Sequence, residues 1–91
     1  MPHSPEEKKR VLARVRRLRG QVEALERALE AGTDCMPVMQ QVAAVRGAAN
    51  GIMAEVMESH LRETFGRPAS TASERSTRIA EMTALVRTYL K

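Results

Sequence analysis

The 91-residue sequence is long enough for one domain but short for a self-sufficient core, so association of copies is expected. Phe65 and Tyr89 are its only aromatics, which excludes a surface that stacks nucleobases, and a composition rich in Ala, Leu, Glu, Arg and Met favours helix. The net charge of +4 is concentrated: seven basic residues and no acid lie from Lys8 to Arg19, which points to an anionic polymer, nucleic acid ahead of a membrane surface.

In chain order, Ser4 as a cap and Pro5 in the first turn open a first helix over about 5–31. Its apolar residues Val11, Val15, Leu18, Val22, Leu25 and Leu29 are spaced alternately by four and three, a heptad seam. Gly32 supplies the stop. Thr33 or Asp34 caps a second helix over about 34–65, with Cys35 and Pro37 in its first turn and Val38, Val42, Val45, Ala49, Ile52 and Val56 as its seam. The segment "GRPAS" breaks this helix. "TASE", from Thr71 to Glu74, reads as a capping box opening a third helix over about 71–90, with Ile79, Met82, Val86 and Tyr89 or Leu90 inward. With no strand signal and no internal repeat, the expected fold is all-α, a single domain over 1–91.

No apolar run approaches the roughly 18 residues of a membrane span. The opening "MPHSPEEKKR" lacks the apolar stretch of a signal peptide, so a cytoplasmic protein is expected. The single cysteine forms no disulfide within the chain and stays a free thiol in a reducing compartment.

Cys35 and His60 are 25 residues apart on the second helix. At about 100° and 1.5 Å per residue they project within roughly 20° of each other, yet lie about 37 Å apart along the axis. Two copies of the helix packed antiparallel about a midpoint between Gly47 and Ala48 bring Cys35 of one chain beside His60 of the other, twice. Ala43, Ala44, Gly47, Ala48, Ala49 and Gly51 surround that midpoint and permit close backbone approach. With the first helices alongside, two chains form an antiparallel four-helix bundle.

A lone cysteine is more often a small buried hydrophobe than a reactive group. Its place at the positive end of a helix dipole, with a histidine from the partner chain in reach to take its proton, favours the reactive reading. Pro2 is small enough to permit removal of Met1, which exposes a secondary amine, and His3 follows; the alternative for both is a frayed polar tail. In "KKRVLARVRRLRG", Arg10, Arg14 and Arg17 form one stripe, with Arg16 and Arg19 on the opposite flank of the seam. A solvated charged face is one reading. Against it stands a lack of compensating acids at i+4, and a long basic helix contacting phosphates suits the pattern better than a helix-turn-helix, whose short second helix is missing. Arg46, beside the small-residue crossing, is either structural or a further DNA contact. One cysteine and two histidines with no acidic partner make no catalytic set, so an enzyme is not expected.

The stretches "MPHSPEEKKRVLARVRRLRGQVEALERALE", "QQVAAVRGAANGIMAEVMESHLRETF" and "LVRTYLK" resemble the CsoR/RcnR family of small bacterial transcriptional repressors, and within it the formaldehyde-responsive FrmR branch. The resemblance covers nearly the whole chain and is weakest from Gly66 to about Arg78. It implies an all-α homotetramer, a dimer of dimers without a helix-turn-helix, that releases operator DNA when an inducer reacts or coordinates at a subunit interface. Arg14, Arg16, Arg17, Arg19 and, partly on the resemblance, Arg46 are then the DNA-binding residues.

The resemblance also frames the inducer. Copper-responsive members place Cys, His and Cys at the positions of Cys35, His60 and Thr64, and nickel- and cobalt-responsive members use an N-terminal His with Cys, His and His. Thr64 removes the last ligand, since a hydroxyl binds these metals poorly. His3, Cys35, His60 and the terminal amine remain able to hold zinc or cobalt adventitiously, and no cofactor is required. Pro2 with Cys35 matches the formaldehyde branch, in which the amine, the thiol and His60 act together on formaldehyde as inducer. A metal-responsive repressor using His3, Cys35 and His60 is the alternative. A helical adaptor that binds no DNA is a third reading, separable by the salt dependence of DNA binding.

Overall fold

The computed structural model describes residues 4–90, which form three helices: α1 (Pro5–Glu30), α2 (Cys35–Phe65) and α3 (Ala72–Tyr89). No strand occurs among the described residues. Pro2 and His3 lie outside them.

Local chemistry sets the helix ends. Ser4 Oγ accepts from the Glu7 amide at 3.0 Å, Pro5 fills the first turn, and Glu6 and Glu7 sit at the positive end of the α1 dipole. At the other end Gly32 adopts φ +71°, a left-handed conformation that side-chain-bearing residues rarely take. Its amide donates to the Leu29 carbonyl at 3.2 Å and the Thr33 amide to the Ala28 carbonyl at 3.0 Å, the paired bonds of a Schellman stop. Asp34 is the N-cap of α2 but makes no side-chain capping bond.

The "TASE" box forms with one displacement. Thr71 Oγ1 accepts from the Glu74 amide at 3.0 Å, as expected, but the Glu74 carboxylate reaches back to Ser70 instead of the cap residue, at 2.8 Å from its amide and 2.6 Å from its hydroxyl. Arg78 donates to the Arg67 carbonyl and pairs with Glu74 at 3.5 Å, so the linker after α2 is bound to α3 at both ends.

α1 and α2 lie antiparallel as a long hairpin, and α3 packs more lightly on α2. The result spans 59 × 29 × 13 Å with a radius of gyration of 17.9 Å, against about 12 Å for a compact globule of this length. No hydrophobic residue among those described is buried.

This arrangement divides the expected seams. On α1, Val11, Leu18 and Leu25 are partly buried against α2, whereas Val15, Val22 and Leu29 are exposed. On α2, Val38, Val45, Ile52 and Val56 are partly buried and Val42 and Ala49 are exposed. The hairpin contact is instead a mixed stripe, with Glu7, Gln21, Gln41, Glu55 and Ser59 taking positions between the apolar residues. On α3 the expected inward set holds at Met82 and is corrected elsewhere: Ile79, Val86, Tyr89 and Leu90 are exposed, and the partly buried stripe is Glu74, Arg78, Met82 and Leu85. Two of those four side chains are held there by the linker they bind.

Gly51 is also re-assigned. A Cβ built there would stand 2.9 Å from Arg14 Nη1, so the residue accommodates a guanidinium from its own chain. At Gly47 nothing lies within 4 Å, and its small size serves no contact inside the chain.

Candidate functional site

Cys35 is an exposed free thiol in the first turn of α2. His60 lies near the other end of the same helix, also exposed. The continuous helix between them keeps them about 37 Å apart, so one chain does not bring them together. They share a face with Val42, Ala49 and Met53, all exposed; Val42 retains 49% of its accessible surface and Met53 37%. Around His60, Met53, Val56, Met57, Leu85 and Tyr89 form an apolar recess between α2 and α3, with Glu81 and Thr88 on its far side. Thr64 is partly buried one helical turn beyond His60.

Among the described residues of one chain no three His, Cys, Asp or Glu side chains come close enough to hold an ion, and His3 lies outside them. Cys35 and His60 supply two suitable donors only if a second chain joins them, and Thr64 adds a weak hydroxyl.

The basic face is built by both long helices. Arg14 and Arg17 line a groove with Gln21, Ala44, Gly47 and Ala48. Arg14 Nε lies 3.3 Å from Glu55 Oε1, and Arg10 Nε lies 3.7 Å from the same oxygen. Arg17 makes none of the ion pairs found among the described residues. Arg16 and Arg19 are exposed on the other flank, and Arg19 pairs with Glu23 at 4.0 Å, an i+4 acid. The expectation that this helix lacks acidic compensation is therefore corrected twice, by Glu23 in sequence and by Glu55 in space. Arg46 is exposed on α2, roughly 20° from the direction of Cys35 around the axis, away from the groove that holds Arg14 and Arg17.

Sequence reasoning missed the cluster that clamps the start of α1. Ser59, the one buried polar residue among those described, donates to Glu7 Oε2 at 3.0 Å, and Arg62 reaches Glu7 Oε1 at 3.6 Å and Glu58 at 3.9 Å. The available signal was polar residues at heptad positions on both helices, Glu7 facing Ser59 and Arg10 facing Glu55 in an antiparallel register.

The sequence profile described as "Metal-sensitive transcriptional repressor" matches residues 7–88. The chain belongs to that family. Within this CsoR/RcnR family it is 44% identical over 63 residues to the transcriptional repressor RcnR homolog of Escherichia coli O139:H28 (strain E24377A / ETEC), covering 69% of this chain and 70% of the relative. It is 50% identical over 91 residues, the full length of both, to an uncharacterized protein in the bioA 5' region of Serratia marcescens. Among solved structures it is similar to a variant of the formaldehyde-responsive regulator FrmR from Salmonella enterica serovar Typhimurium. That match has 57% identity and a TM-score of 0.79, and covers 97% of this chain and 99% of that one. The CsoR/RcnR repressors are transcriptional regulators, and for this member no described helix is long and apolar enough to cross a membrane.

Proposed function

We propose that this repressor binds operator DNA through the arginines of α1 as a tetramer, a dimer of dimers, and releases it when formaldehyde links the N-terminal amine of Pro2 to the Cys35 thiol of a partner chain. The observation that carries the reading is the likeness to a formaldehyde-responsive regulator over nearly the whole chain. The uncovered face shared by Cys35, Val42, Met53 and His60 supports it, because a second α2 laid antiparallel covers that face and completes the thiol–imidazole pair.

The chemistry follows from the two nucleophiles. The secondary amine adds to formaldehyde and the carbinolamine loses hydroxide, giving an iminium ion that has no N–H proton to shed. The Cys35 thiolate attacks its carbon and closes an N–CH₂–S bridge; the thiol proton and the departing hydroxide leave as water. A thiol alone gives only a labile hemithioacetal, so holding both groups together favours the bridge. His60 accepts the thiol proton and passes it to the departing hydroxide. The bridge pulls on the residues before Ser4, a few positions from Glu7 and the clamp made by Ser59 and Arg62, and so shifts the start of the basic helix.

Intact mass spectrometry after formaldehyde exposure tests this. Each chain should gain about 12 Da, one carbon net after water leaves, and denatured chains should remain linked in pairs. If zinc, cobalt, nickel or copper alone releases DNA and no such mass appears, the metal-responsive reading with His3, Cys35 and His60 replaces it.

A further inference from the structure

We propose that Glu55 is an internal rival of the DNA phosphates: by holding Arg10 and Arg14 against α2, it sets both the affinity and the salt dependence of the basic face. The inference rests on the reading of that face as a phosphate-binding surface.

The arrangement is asymmetric in a way that matters. Glu55 is only 22% exposed, whereas the Arg10 and Arg14 side chains are 56% and 50% exposed. The carboxylate is therefore fixed on α2, and the guanidinium groups reach solvent at the edge of the hairpin. One oxygen, Oε1, serves both arginines, at 3.7 and 3.3 Å. Arg14 has in addition a shaped berth, since its Nη1 occupies the space that a side chain at Gly51 would fill. Arg17, on the same side of α1, makes none of the ion pairs among the described residues. The stripe thus contains two arginines held by a carboxylate and one that is not.

A phosphate that takes Arg14 competes with Glu55 for its charge. An ion pair this exposed is weak, so the exchange is feasible, and its cost is a few-fold in affinity for each arginine. The vacated carboxylate then stands near the duplex and repels it. Because the carboxylate freed from the arginine gathers solution cations, it offsets part of the cations released from the phosphates, and the dependence on salt is shallower than for an unpaired arginine. The penalty is the same for every sequence, so it lowers non-specific and operator binding alike. The opposite role for Glu55, orienting the arginines toward phosphate, predicts the opposite sign on its removal.

The experiment is fluorescence anisotropy with a fluorescein-labelled mixed-sequence DNA duplex and the full-length protein, from about 0.05 to 0.3 M salt. Glu55→Gln should bind about three- to tenfold more tightly at physiological salt, with a steeper slope against salt. Gly51→Ala should also tighten binding, because its Cβ, 2.9 Å from Arg14 Nη1, displaces that end of the guanidinium from its berth without changing any charge; this covers the case in which Glu55→Gln loosens the hairpin. Most of the gain from Glu55→Gln should vanish in an Arg14→Ala background. Equal or weaker binding by both single variants overturns the inference, as does a gain fully retained without Arg14. If the unsubstituted protein shows no salt-dependent binding, it is the DNA-binding reading itself that falls.

Discussion

Arg14 crosses from α1 to lie over Gly51 of α2 and meets the Glu55 carboxylate at 3.3 Å. The basic stripe of the first helix is therefore held in part by the second.

This contact separates Arg14 from Arg17. Arg17→Ala should weaken DNA binding by roughly tenfold and lower the salt slope by about one, and Arg14→Ala should do less on both counts, with the oligomer unchanged. The difference arises because Glu55 competes for Arg14. Salt titrations of the two variants side by side decide the order, and unimpaired binding in both removes this face from consideration.

Cys35→Ser should abolish the formaldehyde mass gain and the release of DNA while leaving basal DNA binding within about twofold, since an exposed residue away from the basic groove is being changed. Pro2→Ser, which presents a primary amine, should blunt the response without touching the thiol. His60→Ala should slow bridge formation by roughly 10²-fold, the range for a lost proton acceptor, and leave the final product the same. Time-resolved mass spectra read all three.

A chain with no buried hydrophobic residue among those described should gain its stability from association. Its melting temperature should rise with protein concentration. Val42→Asp or Met53→Asp, which place a charge on the exposed face of α2, should dissociate the protein and unfold it together, a loss of several kcal/mol. Analytical ultracentrifugation combined with circular dichroism checks this; a folded, stable monomer would contradict it.

Glu74 gives the linker a pH dependence. The Ser70 hydroxyl, then the Ser70 amide, and Arg78 at longer range hold its carboxyl below the ordinary range. A carboxyl lowered on folding contributes its stabilisation in full above the unfolded value of about 4.3, and that contribution fades as pH falls through the lowered folded value. Amide exchange at Ser70 and Glu74, corrected for intrinsic rates, should accelerate across that window in the native chain and be fast at every pH in Glu74→Gln.

Three helices were legible in the sequence because their punctuation is local. Ser4 with Pro5, the left-handed Gly32 and the Thr71–Glu74 cap each act within four residues. The sides the helices present were less legible. A heptad of apolar residues does not say that Val11, Leu18 and Leu25 meet α2 while Val15, Val22 and Leu29 stay uncovered, because both sets fit one broad stripe. On α3 the apolar pattern points to Ile79 and Val86, whereas the packed stripe begins with Glu74 and Arg78, whose partners are in the preceding linker. For the candidate site, the shared face of Cys35 and His60 follows from helical periodicity alone. The hold of Glu55 on Arg10 and Arg14 does not, since it exists only once two helices distant in sequence lie side by side.

A plate 13 Å thin has no interior for a message to cross. His60 and Gly51 are nine residues apart on α2 and so point in opposite directions from one axis, the first toward the proposed inducer and the second toward the berth of Arg14. A small roll of this single helix moves both at once. In the proposed reading, the two sites are separated by the width of one helix and about 13.5 Å along its axis, so rigid α2 carries a displacement to the berth of Arg14 while the bridge shifts the start of α1.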